Sequence, residues 1–146
     1  MSAKAFVFET MRRQGKASAL ALQSKATDMD GTQLIAEEDF IPDFDPAKDY
    51  TGWKAGYPVQ DEGQVWILLQ PHNAAHYEGR PSTLRALWGL AHTTDPQKAK
   101  PYVAPLGTSG LYMKDECAVW EDEVYRSKQD NNPYSPTDYL DWWVKV

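Results

Sequence analysis

The feature that most constrains this 146-residue chain is an internal duplication. Sliding the sequence by 59 positions superposes Trp53 on Tyr112, Val65 on Val124 and Trp66 on Tyr125, together with Pro46 on Pro105, Glu62 on Glu121, Gln70 on Gln129 and Asn73 on Asn132. A shift of 55 then superposes Pro81-Ser-Thr-Leu-Arg-Ala-Leu-Trp88 on Pro136-Thr-Asp-Tyr-Leu-Asp-Trp-Trp143, so the first copy carries a loop four residues longer. Identity is modest; the weight lies in aromatic, Val and Pro positions that recur in the same order. Self-similarity at a fixed offset marks a repeated structural unit. At roughly 45 residues, each copy falls below the size at which burial alone gives comfortable stability. A lone cysteine, Cys117, excludes an internal disulfide. Aromatic side chains must therefore do most of the packing, shared with the neighbouring copy.

Each copy reads as a hairpin, a long loop and a closing strand. In the first, strands over 57–60 and 64–69 flank Asp61-Glu62-Gly63, where Gly63 admits positive φ. In the second, strands over 117–120 and 123–127 flank Glu121-Asp122. Loops over 70–81 and 129–136 follow, and the closing strands carry Trp88 and Trp143. Ahead of residue 42 the vocabulary changes to Ala, Leu, Lys, Gln and Glu, all good helix formers. The expectation there is a helix over 3–23 with Phe6, Met11, Leu20 and Leu22 apolar and Gly15 as a break or cap. A second short helix is expected over 33–39, capped by Thr32 and closed by Pro42. Such short helices are marginal alone and need a surface to lie on, in this chain or another. The expected class is α+β: a helical anchoring or assembly segment (1–42) followed by two small antiparallel β modules (43–95 and 96–146).

Composition narrows the function. Fifteen Lys and Arg against 21 Asp and Glu leave no excess positive charge to displace phosphate counterions, which argues against nucleic acid. No apolar run approaches ~18 residues, so no transmembrane helix is expected. Glu9, Arg12 and Arg13 fall where a signal peptide needs its apolar stretch, so export by that route is not expected. Carboxylates cluster in turns such as Asp61-Glu62 and Glu121-Asp122-Glu123, where solvation is the default, rather than as a pair flanking a cleft. There is no P-loop, dinucleotide fingerprint or nucleophile elbow. The expectation is a non-catalytic protein without metal or cofactor, with Cys117 a small hydrophobe in a strand. Six Trp and eight Tyr against four Phe are rings that carry a polar tip, suited to small β scaffolds and binding faces.

The string Val65-Trp-Ile-Leu-Leu-Gln-Pro-His-Asn73, then Pro81 and Ala86-Leu-Trp88, resembles the chitin-binding modules of bacterial chitinases, carbohydrate-binding module families 5 and 12. Trp53, Gly56, Val59, Gly63 and Trp66 fit that pattern in the first copy. Tyr112, Trp120 and Tyr125 fit it in the second, where Asp115 and Asp122 replace glycines and Ala118 replaces Val. The likeness covers residues 44–146. A short helix ahead of such modules also resembles tail, baseplate and fibre proteins of tailed phages and prophages of Gram-positive hosts. The resemblance implies a virion component, made in the host cytoplasm and released by lysis. Its modules would attach to host cell-wall or capsular polysaccharide, and residues 3–40 would meet other virion proteins in a homo-oligomeric assembly. The alternative is a structural virion protein that uses the same modules for subunit contacts.

Pyranose rings present apolar C–H faces to flat aromatics and hydroxyl edges to polar groups. In the chitinase modules the stacking ring is the Trp of Trp-x-Pro, and here Tyr134-Ser-Pro136 occupies that place in the second copy, with Tyr77 the nearest aromatic in the first. Trp53, Trp66, Trp88, Tyr112, Tyr125 and Trp143 are expected in the core. Trp120 and Trp142 stand next to core positions and are expected to point outward by alternation. The candidate sugar contacts are therefore Tyr77, Trp120, Tyr134 and Trp142, with Asn73 and Asn132 as polar partners and His76, Glu78, Asn131 and Asp138 beside them. His72 is expected as a hydrogen-bonding loop residue.

Overall fold

A computed structural model describes residues 20–146, so most of the helix expected over 3–23 lies outside the described residues. Its visible end is helical over 20–25 and tightens into a 3-10 turn, Ala26–Asp28. Helix α1 (Gly31–Ala36) begins earlier than expected, because its N-cap is Asp30 and not Thr32. Asp30 Oδ1 accepts the Gln33 N–H at 2.8 Å and Gln33 Oε1 accepts the Asp30 N–H at 2.9 Å, a reciprocal capping box. The Thr32 hydroxyl instead accepts the Thr94 N–H at 3.0 Å, reaching the linker between the repeats. A 3-10 turn, Glu38–Phe40, ends the segment before Pro42.

The first repeat forms an antiparallel sheet in the order β1 (Pro58–Asp61), β2 (Gln64–Leu68), β3 (Trp88–Leu90). The two-residue period of β2 sends Trp66 and Leu68 to one face and Val65 and Ile67 to the other. On the first face Trp66, Leu68 and Trp88 pack with Phe44, Tyr50 and Val59. On the second, Val65 and Ala91 are buried against Leu22, Ala26, Leu34 and Ile35. Residues 20–41 are thus the second layer of the first module, which buries its sheet on both sides.

The second repeat contains β4 (Lys100–Pro101), β5 (Cys117–Trp120), β6 (Glu123–Ser127) and β7 (Trp143–Lys145) in that spatial order. Strands β5 to β7 reproduce β1 to β3 at the offsets of 59 and 55, and are antiparallel as expected. Strand β4 departs from that expectation: it runs parallel to β5, so the sheet is mixed. The first repeat has a shorter form of the same device, a parallel bridge between Asp43 and Gln60. The Phe44 N–H donates to the Gln60 carbonyl at 2.8 Å and the Tyr102 N–H to the Val119 carbonyl at 2.9 Å, which makes Phe44 and Tyr102 counterparts. Among the described residues the architecture is α+β: a helical end over 20–25, helix α1 and isolated 3-10 turns, with two small sheets.

A second counterpart corrects the sequence alignment. Tyr50, not Trp53, plays the part of Tyr112. Both tyrosines are buried. Each phenol oxygen accepts a backbone N–H, from Asp45 at 2.9 Å and from Val103 at 3.2 Å. Each meets its closing tryptophan edge-on at 5.3 Å, Tyr50 with Trp88 and Tyr112 with Trp143. Trp53 is only half-buried and leans on Tyr50 at 4.7 Å. Tyr125 is also half-buried, whereas Trp66, Trp88, Tyr112 and Trp143 are core. The core of each repeat is therefore an aromatic triad, Phe44–Tyr50–Trp88 and Tyr102–Tyr112–Trp143.

The linker ties the repeats together. His92 stacks on Tyr112 at 3.7 Å between ring centroids, and the Cys117 N–H donates to the Thr93 carbonyl at 2.8 Å. The Gln64 amide donates to the Pro101 carbonyl at 2.9 Å, and Lys100 pairs with Glu38. Gly31 lies so close to the His92 carbonyl that a Cβ would collide with it.

Candidate functional site

Three of the four aromatic candidates belong to the second repeat, and two of them touch. Asn132 opens the loop: its Oδ1 accepts the Tyr134 N–H at 3.0 Å, which bends the chain and turns Tyr134 outward. The Trp143 indole N–H donates to the Tyr134 carbonyl at 2.9 Å and pins that residue to the core. Tyr134 remains 40% exposed. It meets Trp142 edge-on at 5.3 Å and Tyr139 at 5.1 Å with planes inclined by 31°. Trp142 stands perpendicular to Tyr139 as well, at 5.9 Å. The three rings form a platform of two shallowly inclined phenols backed by an indole, with Tyr139 45% exposed.

Tyr139 was not among the expected contacts. Its counterpart at the offset of 55, Leu84, packs against the first repeat's core, so the repeat pattern itself pointed inward. No sequence signal marks it, because its exposure follows from the 3-10 turn Leu140–Trp142 that it precedes rather than from a strand. That turn also explains Trp142, since strand alternation has no bearing on a residue in a 3-10 turn. It is half-buried.

Trp120 needs a correction. It lies two residues beyond Ala118 in β5 and therefore shares the core-facing side of the sheet rather than pointing outward. At the strand end it overhangs the core, half-buried, edge-on to Tyr102 at 5.3 Å and 89°. Its indole N–H donates to the Thr137 hydroxyl at 2.8 Å. Trp120, Tyr102, Ser135, Thr137 and Asp138 line an open groove of about 510 Å³. Burial, and then the nearby Asp138 carboxylate, raise the pKa of the Tyr102 phenol. Tyr102 was not foreseen because neither repeat offset aligns it with an aromatic.

Asn132 is removed from the contact surface. It is fully buried, and its amide N–H groups go to the Ser127 hydroxyl at 3.0 Å and toward the Trp142 carbonyl at 3.5 Å. It shapes the loop and touches no solvent. Asn73, half-buried, plays the same capping part in the first repeat, where its Oδ1 accepts the Ala75 N–H at 3.1 Å. Tyr77 follows that turn, 46% exposed, edge-on to His72 at 5.4 Å. It stands apart from the platform, in the other repeat. His72 is buried and donates from Nδ1 to the Gln70 carbonyl at 2.8 Å. Cys117 is buried in β5, and burial raises its thiol pKa. Among the described residues no group of three or more His, Cys, Asp or Glu side chains is arranged to hold a metal ion, and no helix is long and apolar enough to cross a membrane.

No protein-family model matches the chain. Over 72 residues it is 31% identical to a sialidase of Clostridium perfringens. The match takes in 49% of this chain and 19% of that protein, so this chain corresponds to about a fifth of that relative's length.

Proposed function

We propose that the chain is a non-catalytic glycan-binding unit whose principal contact is the Tyr134–Tyr139–Trp142 platform of the second repeat. The observation that carries this reading is the gathering of three rings on one exposed loop, held from below by Asn132 and Trp143. Two inclined phenols offer apolar faces to a pyranose while their hydroxyls remain at the rim for its edges. The partial likeness to a protein named as a sialidase supports carbohydrate as the ligand class. The module resemblance noted in the sequence supports it further. On this reading the protein belongs to a phage tail or baseplate, and many copies in a particle raise a weak single-site affinity through effective concentration.

Purified protein is expected to be retained on at least one of insoluble chitin, peptidoglycan sacculi and capsular polysaccharide. Tyr134→Ala and Tyr139→Ala should each weaken retention about tenfold, equivalent to about 1.4 kcal/mol. Retention on none of the three would sink the proposal. The alternative, a structural protein whose platform meets neighbouring subunits, draws on Leu140, 60% exposed beside Tyr139. A structure of the assembled particle with these rings occluded in every copy would favour it.

A further inference from the structure

The two repeats carry the same groove and line it differently. In the first repeat it lies beside Phe44 at the end of β1, and Asp61 occupies the place that Trp120 takes in β5. Asp61 is buried and receives a bidentate clamp from Arg80, at 2.9 Å from Nε and 2.6 Å from Nη2. Arg80 Nε also lies 3.2 Å from the Glu62 carboxylate. The clamp engages Arg80 through Nε and Nη2, fills the place of an aromatic wall and leaves a small polar recess of about 330 Å³.

In the second repeat neither partner of that pair is present. Trp120 stands where Asp61 stands, and Ser135, next to the shared proline, stands where Arg80 stands. The groove widens to about 510 Å³ from about 330 Å³, and its walls change from a charged pair to two aromatic rings. Tyr102 and Trp120 meet at 89° and form a floor and a wall. The indole is fixed in place by its hydrogen bond to Thr137, so ordering it on binding costs little. Thr137 accepts that bond and keeps its own hydroxyl proton to donate. The exposed Asp138 carboxylate adds acceptors at the rim, and its backbone N–H is already bonded to the Ser135 hydroxyl at 3.1 Å.

We propose that this groove is a second glycan subsite, separate from the platform, which seats one pyranose residue against Trp120 and Tyr102 with its hydroxyls on Thr137 and Asp138. The inference rests on the glycan-binding reading above. Platform and groove draw on the same loop, 133–139: Tyr134 and Tyr139 serve the first, Ser135, Thr137 and Asp138 the second. One oligosaccharide crossing that loop engages both. The first repeat, with its ion pair in place, has no equivalent seat.

The test uses the full chain and two readouts: retention on the three polysaccharides, and the indole N–H resonance of Trp120 during titration with an N-acetylglucosamine tetramer. That resonance is assigned by its loss in Trp120→Phe. Trp120→Ala should reduce retention at least fivefold, and Asp138→Ala, a change at an exposed carboxylate that leaves the fold intact, about threefold. Arg80→Ala should leave retention unchanged. The Trp120 resonance should shift on titration and still shift in Tyr139→Ala. If Asp138→Ala and Trp120→Ala retain full binding while Tyr139→Ala loses it, or if the Trp120 resonance does not respond, the groove proposal falls and the platform reading stands. If the unaltered protein is retained on none of the polysaccharides, both fall together.

Discussion

At the scale of single residues, the polar side chains that matter are the ones the folded chain uses up. Asn132 was expected at a sugar and is consumed by its own loop. Trp120 was expected outside and is turned inward by the parity it shares with Ala118. His92 is the residue whose burial has the clearest solution consequence. It is buried at the junction, stacked on Tyr112, and burial pushes its imidazole down to about 4 from the usual 6.5. The unfolded chain binds that proton near pH 6.5 and the folded one only near 4. Stability from His92 is therefore complete above about 6.5 and is lost as pH falls toward 4, by up to about 3 kcal/mol. Glu116 lies 3.6 Å from His92 Nδ1, and burial raises its carboxyl pKa, which gives it the opposite slope. Urea midpoints compared between pH 4.5 and 7.5 separate the two. The stability difference between the unaltered protein and His92→Gln should shrink or invert toward acid, and a pH-independent difference would refute the assignment.

At the scale of elements, the two hairpins show what a repeat can and cannot carry over. Both turns place two residues at positive φ: Glu62 and Gly63 at 54° and 74°, Glu121 and Asp122 at 49° and 66°. This is the geometry that suits the twist of a two-residue hairpin and that Asn-Gly fills with least strain. The second hairpin forms without a glycine, so its register is imposed by β5 and β6 rather than by the turn. Glu121→Asn with Asp122→Gly is expected to stabilise the protein by about 1 kcal/mol in chemical denaturation. An unchanged or lower midpoint would mean that these side chains contribute something the backbone geometry does not reveal. The hairpins and closing strands were legible because alternation and turn residues are local signals. Strand β4 was not, because two residues paired in parallel to a strand 18 positions away leave no period in the sequence. The same blindness hid Tyr102, whose place depends on that pairing, and Tyr139, whose neighbourhood exists only once the 3-10 turn at Trp142 has formed.

At the scale of the molecule, the repeats share a topology and differ in what covers them. The face of the first sheet bearing Val65 lies under residues 20–41, whereas the matching face of the second bears Val119, Val124, Arg126 and Val144, with Val144 45% exposed. The linker turn Pro96–Lys98 packs on that face and Cys117 at its edge is buried, but among the described residues no helix covers it. Amides of β6 should accordingly exchange at lower opening free energy than those of β2, read by native-state hydrogen exchange. Equal protection would mean that the aromatic triad alone sets the stability of each sheet. The sequence was informative about the duplicated scaffold and the class of exposed ring, and silent about which layer the helical segment would join, since short amphipathic helices do not name their partner.

That layer touches the linker at Gly31, where the His92 carbonyl leaves room for a hydrogen atom and nothing larger. Three parts of the chain, the helical cover, the linker and Tyr112 of the second repeat, therefore close on one another like the leaves of a lock around a single missing methyl group. Two beads on a flexible string would sample many mutual orientations; the packing of Gly31 on His92 and of His92 on Tyr112 sets these two at one angle.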